Sequence, residues 1–289
     1  MAHKNRRLSR RRFLSSGSLG AAGMLAASGI PLSAGNSSRR GVVIDCHMHL
    51  EAYGTYWEGL IDEIIEHFDY AGVDKGVVFT VWTPSRESND RTLAACEKYP
   101  DRFIPFGHVR TQDADWKEEI ERIGKLQWKG IKVHQGEVSR GPDLGDRTRV
   151  LVRKASDCGI RVILIHLADF DMVDSITEEF PEVTWLLAHM GPYKNQDEMK
   201  KFCVLARNRA NVFLDTSGAD YYRFGQQFEM AGTDKVVFGS DGFWFNPLIE
   251  KAKIEILQLP TPFRTTKLTD EQVDQVLGGN LAGILQLQQ

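Results

Sequence analysis

From residue 41 onward the chain alternates short, β-branched apolar runs with longer stretches in which apolar residues recur at helical spacing. The runs predict strands over 41–47, 76–81, 103–109, 130–134, 160–166, 183–189, 211–216 and 236–241. The stretches between them predict helices. Ile61, Ile64, Ile65 and Phe68 make one apolar face after the first strand, and Phe202, Leu205 and Ala206 make another after the sixth. Eight strands, seven intervening helical stretches and a helical tail are the count of an α/β (β/α)8 TIM barrel. The rival is an open doubly wound sheet. It calls for a glycine-rich phosphate turn after the first strand, and Cys46-His47-Met48-His49-Leu50 is not one.

Polar residues at the strand ends sharpen this picture. Side chains alternate along a strand, so Asp45, His47 and His49 are expected on one inward face. Cys46 and Met48 are expected on the other, with Cys46 as inert packing against the helices. Two imidazoles two residues apart can hold a metal ion from one side, although a lone His-x-His is more often a polar strand-to-loop junction. Of the eight histidines, His3 precedes the strands and His67 falls in a helix. The other six, His47, His49, His108, His134, His166 and His189, sit at predicted carboxyl ends of strands, and Asp241 ends the eighth. In a barrel all those ends open onto one mouth, where the chemistry lies.

In order and at these spacings the motifs resemble the amidohydrolase superfamily. Within it they resemble the amidohydrolase-related branch that includes zinc-dependent decarboxylases of aromatic and unsaturated acids. The matching segments are His47-Met48-His49, Asn89-Asp90, Tyr99-Pro100-Asp101-Arg102-Phe103, Gly130-Ile131-Lys132-Val133-His134, His166, Ala188-His189-Met190-Gly191, Phe238-Gly239-Ser240-Asp241 and Leu277 to Ala282. The resemblance implies one divalent ion, with zinc expected, held by His47, His49, His166 and Asp241. It implies a metal-activated water, with Asp241 moving its proton and His189 acting as acid or electrostatic stabiliser. Lys132 and His134 are expected to contact substrate; a carboxylated Lys132 would instead bridge two ions. Asp45 is expected to orient a ligand, and His108 is either a site residue or a core histidine.

Trp82, Tyr193 and Phe243-Trp244-Phe245 follow strands and are candidates for an aromatic wall, with Trp82 and Trp244 as substrate contacts. Arg86 and Arg110 are candidates to meet a carboxylate. Two reactions remain open: hydrolysis of a small ester, lactone or amide, and non-oxidative decarboxylation of an aromatic or unsaturated acid. The decarboxylases of the branch often carry an arginine near the first metal-binding loop. Residues 50–54 hold none, which tilts the expectation to hydrolase.

Composition bears on location and partners. Ser9-Arg10-Arg11-Arg12-Phe13-Leu14, followed by an uncharged run to Ile30, resembles a twin-arginine export signal over residues 1–34. The catalytic domain is expected over 41–289, in the periplasm or outside the cell. The first 34 residues hold six of the 36 Lys and Arg and no Asp or Glu, leaving 30 basic against 39 acidic residues, a charge of −9. Such an acidic body argues against nucleic acid as a partner. The four cysteines form no Cys-x-x-Cys, so neither a zinc finger nor a disulfide framework is expected. The expected partners are a small-molecule substrate and the twin-arginine export machinery; a homodimer is compatible with the resemblance.

Overall fold

The computed structural model describes residues 41–52, 55–56, 59–167, 169–192, 195–259 and 267–287. The export-signal segment, Tyr193 and Gly54 lie outside the described residues. Eight parallel strands neighbour one another in chain order: β1 (Ile44–His49), β2 (Lys75–Phe79), β3 (Phe103–His108), β4 (Gly130–His134), β5 (Val162–His166), β6 (Thr184–Leu187), β7 (Val212–Asp215) and β8 (Val236–Val237). Helices α1 (Leu60–Ala71), α2 (Ser85–Lys98), α3 (Trp116–Lys125), α4 (Gln135–Val138), α5 (Leu144–Asp157), α6 (Phe170–Glu179), α7 (Gln196–Asn208), α8 (Tyr221–Ala231) and α9 (Pro247–Glu255) follow them. This is the (β/α)8 barrel that the alternation predicts, not a doubly wound sheet.

Closure is made by an irregular path beyond β8 rather than by a long eighth strand. Cys46 N donates to Phe238 O at 2.8 Å, Asp241 N to His47 O at 2.7 Å and His49 N to Gly242 O at 2.9 Å. Asp241 therefore lies past β8, not at its last residue. Gly239 is needed on this path, because a Cβ there would collide with the buried Asp215.

Two apolar layers hold the fold. Ile44, Cys46, Phe79, Ile104, Phe106, Leu164 and Leu186 pack together, and a larger layer joins alternate strand residues to the helix faces. On α1 the buried residues are Leu60, Ile61, Ile64, Phe68 and Ala71, close to the predicted stripe. Phe68 packs so tightly over β2 that Gly76 has no room for a Cβ. On α2, Asn89 clamps the end of β3, donating to His108 O at 2.9 Å and accepting from His108 N at 2.9 Å.

One expectation fails on β1. Its pairing with β2 shifts register between Asp45 and Met48, so strict alternation breaks there. Cys46 packs with Phe79 and Phe106 in the first layer, whereas Met48 packs in the layer that meets the helices. Asp45 does not orient an imidazole. Its Oδ1 accepts from the backbone N–H of His47 at 2.9 Å and of Ser240 at 2.9 Å, tying β1 to the path after β8.

Candidate metal centre

The end of β1 delivers His47 and His49, and the path after β8 delivers Asp241 between them. Asp241 Oδ1 lies 3.1 Å from His47 Nε2 and 3.1 Å from His49 Nε2. One donor atom from each of the three residues falls within 4.8 Å of the others, and all three are buried. Asp241 has φ 55°, and Trp82 and His189 have φ 60°, a left-handed conformation uncommon outside glycine. Such backbone recurs at functional sites, where the surrounding structure fixes it.

A carboxylate stands behind each imidazole. His47 Nδ1 lies 2.6 Å from Asp215 Oδ2, and His49 Nδ1 lies 2.8 Å from Glu51 Oε1. A carboxylate only accepts, so each Nδ1 carries hydrogen and each ring turns its Nε2 toward Asp241, donating to it when the ring is protonated and offering a lone pair when the ring is neutral. Two imidazole lone pairs and one carboxylate oxygen aimed at a common point suit a divalent cation. Zinc accepts this set, and manganese or iron would too. The carboxylates behind the rings fix their orientation and raise their basicity as ligands. The residues present thus fit a single metal ion. His166 lines the same cavity as His49 and Asp241, its ring 4.6 Å from that of His189 and 5.0 Å from that of His134.

Above the donors lies a cavity of about 260 Å³. His49, His134, His166, His189 and Asp241 line it, and Trp82, Trp244 and Phe245 complete the wall. Trp82 stacks on His49 with ring centroids 5.9 Å apart and meets Trp244 edge to face at 5.8 Å. Phe243 instead packs against His67 at 5.2 Å. A groove of about 500 Å³ between α6 and α7 has no histidine among its lining residues.

Other sequence candidates fall elsewhere. Lys132 is buried beneath the cavity rather than in its wall, with Nζ donating to His47 Nε2 at 2.8 Å. His108 is a core histidine; its Nδ1 meets Lys132 O at 3.2 Å. Arg86 pairs with Glu119 at 3.4 Å and Arg110 with Glu137 at 3.0 Å, so both meet the protein's own carboxylates.

Burial and neighbouring charge set the protonation states. Burial pushes His189 down to about 4, His134 to about 3 and His108 to about 4, with nearby cations adding to the effect except where carboxylates oppose it. His166 is likewise held low, by burial first and His189 next. Burial lowers Lys132 to about 8 against the pull of Asp241 and Asp215. Burial would lower His49 too, but Glu51 and Asp241 outweigh it and raise it to about 8. For Asp241 burial favours the neutral acid, yet His47 and His49 together hold the carboxyl well below its usual range. His189 Nδ1 lies 3.0 Å from the Ser217 carbonyl, which only accepts, so the neutral His189 ring carries its hydrogen on Nδ1 and none on Nε2.

Asp215, Ser217 and Glu51 were missed as functional residues by sequence reasoning. Ser217 Oγ lies 2.8 Å from Asp215 Oδ2, 3.1 Å from His189 Nδ1 and 3.3 Å from His47 Nδ1. The signal was available for Asp215, which ends a predicted strand as the histidines do. For Glu51 it was the continued spacing His47, His49, Glu51.

A family model described as "Amidohydrolase" matches residues 44–283. None of the curated proteins matches the chain. Among solved structures, the chain is similar to 5-carboxyvanillate decarboxylase from Sphingomonas paucimobilis, with TM-score 0.62 at 16% identity over 86% of this chain and 100% of that one. It is similar to dihydroxybenzoic acid decarboxylase from a Polaromonas species with bound manganese and 2-nitroresorcinol, with TM-score 0.61 at 14% identity over 86% and 97%. It is also similar to a probable 2-pyrone-4,6-dicarboxylic acid hydrolase from Acinetobacter baumannii with citric acid bound, with TM-score 0.61 at 16% identity over 85% and 99%. At such identities these likenesses are of fold.

Proposed function

The chain belongs to the amidohydrolase family, and on that premise we propose that it is a metal-dependent, non-oxidative decarboxylase of a small aromatic or unsaturated carboxylic acid. The carrying observation is the ring-walled cavity over the donor group. Its volume of about 260 Å³ suits one small ring, and Trp82 and Trp244 offer that ring faces and edges. Two fold relatives are decarboxylases of ring acids.

His47, His49 and Asp241, with His166 from the same cavity wall, would hold one divalent ion, zinc by the imidazole content of the set, with manganese as bound by the Polaromonas relative. The ion supplies positive charge to the substrate's oxygens. Trp82 and Trp244 position the ring. The carbon–carbon bond to the carboxylate breaks, carbon dioxide leaves, and the electron pair stays on the ring carbon. Asp241, the one carboxylate in the cavity wall among the described residues, takes a proton from water and relays it to that carbon; its low proton affinity makes it a strong donor once loaded. His189, with no hydrogen on Nε2 in its neutral ring, accepts a hydrogen bond from a substrate hydroxyl.

Hydrolysis of a small ester, lactone or amide is the second reading. It is favoured by the absence of arginine from residues 50–54 and by an Asp241 held ionised, as a base requires. A panel of ring acids scored for carbon dioxide, beside a panel of esters and lactones scored for acid release, tests the choice. Turnover confined to the second panel overturns decarboxylation.

Export belongs to the same proposal, supported by the Ser9–Leu14 motif. Arg10→Lys with Arg11→Lys is expected to strand the chain in the cytoplasm. Unchanged periplasmic yield counts against twin-arginine export.

A further inference from the structure

Lys132 is 1% exposed on β4, and its Nζ donates to His47 Nε2 at 2.8 Å. The ammonium also lies 5.1 Å from the centroid of the Phe79 ring, whose face favours a cation. The hydrogen on His47 Nδ1 is committed to Asp215 at 2.6 Å. In the neutral ring, the form that can bind a metal, His47 Nε2 has one lone pair, and Lys132 uses it. That is also the lone pair His47 would give to a metal ion shared with His49 and Asp241. One lone pair cannot serve an ammonium hydrogen and a metal together.

We propose that Lys132 is a built-in competitor of the metal: its ammonium holds the His47 lone pair that a divalent ion must take, so the ion enters by displacing this hydrogen bond. The proposal rests on the metal reading of His47, His49 and Asp241. It gives Lys132 two effects. The lysine keeps the His47 ring oriented when no ion is bound, because Asp215 and Lys132 grip its two nitrogens. It also places a like charge beside the entering ion, which weakens binding. The rival role for this lysine is a bridge. Its Nζ would then add carbon dioxide and lose a proton, giving a carbamate that accepts two ions.

The test compares wild type with Lys132→Met, which keeps the chain length and removes the charge and donors. Lys132→Leu is the second variant should Met fail to fold. Zinc and manganese affinities are read by competition with a chromophoric chelator, ion content by elemental analysis, and melting temperature with and without chelator. The expected result is one ion per chain in both proteins, with the variant binding it about 10–100-fold more tightly, the scale of neighbours of metal ligands. Its melting temperature should also gain more from the ion than that of wild type. Equal or weaker affinity in the variant overturns the proposal alone. Two ions in wild type, with loss of one or both in the variant, overturns it in favour of the bridge. Absence of binding by both proteins overturns the metal reading and the proposal together.

Discussion

Asp215 on β7 reaches across to His47 on β1, its Oδ2 2.6 Å from the ring's Nδ1, with neither side chain meaningfully exposed. Ser217 joins the same oxygen and His189 at 2.8 and 3.1 Å. A metal-ligating histidine and a cavity-lining histidine thus share one anchor. Asp215→Ala is expected to weaken metal binding by about 10–100-fold, because the His47 ring loses its orientation and basicity. A chelator titration on folded variant checks this. An unchanged affinity would remove Asp215 from the account.

Asp241 is both a donor and, among the described residues, the only carboxylate of the cavity wall. Asp241→Asn keeps a ligating oxygen but cannot carry the proton. Turnover per bound ion is expected to fall by about 10²–10⁴-fold, while part of the metal is retained. His47→Ala should lose metal and turnover together. Rates normalised to metal content decide; near wild-type turnover by Asp241→Asn would pass the proton role to His189.

Metal binding should depend on pH. Burial alone would lower His49, but Glu51 and Asp241 raise it to about 8. A metal takes Nε2 only from the neutral ring, so below that pH a proton must leave as the ion binds. Affinity is expected to rise by about tenfold per pH unit toward pH 8 and then to level off. Isothermal titration in buffers of different ionisation enthalpy counts the released proton. An affinity that does not change with pH below about 8 would contradict the assignment.

Trp82 stacks on His49 and abuts Trp244. Removing its ring should cost substrate binding about 0.5–1.5 kcal/mol beyond lost area, raising KM by about tenfold with a smaller effect on kcat. Steady-state kinetics of Trp82→Ala on the best ring acid measures the split. A loss confined to kcat would mean that Trp82 does not hold the ring.

The barrel was legible because strand runs and helical stripes alternate at a fixed beat, and the α1 stripe fell almost where predicted. The histidines at the strand ends were legible for the same reason, since every carboxyl end of a parallel barrel opens onto one face. What sequence spacing hid was local. The register shift in β1 moved Cys46 into the inner packing and left Asp45 bridging to Ser240, and no periodicity announces such a shift. The anchors behind the ligands were hidden because Asp215 and His47 are 168 residues apart, and only the closed sheet brings them together. Arg86 and Arg110 misled because a surface arginine after a strand looks the same whether it faces substrate or a neighbouring glutamate.

The most direct measurement of the central claim follows the proton. Chelator-stripped and zinc- or manganese-restored protein is given ring acids in deuterated water, and the products are read by proton NMR beside evolved carbon dioxide. The account expects the restored protein to place one deuterium on the vacated ring carbon for each carbon dioxide released, and the stripped protein to release none. Unchanged ring acids, with an ester or lactone opened by the same restored protein, would contradict it.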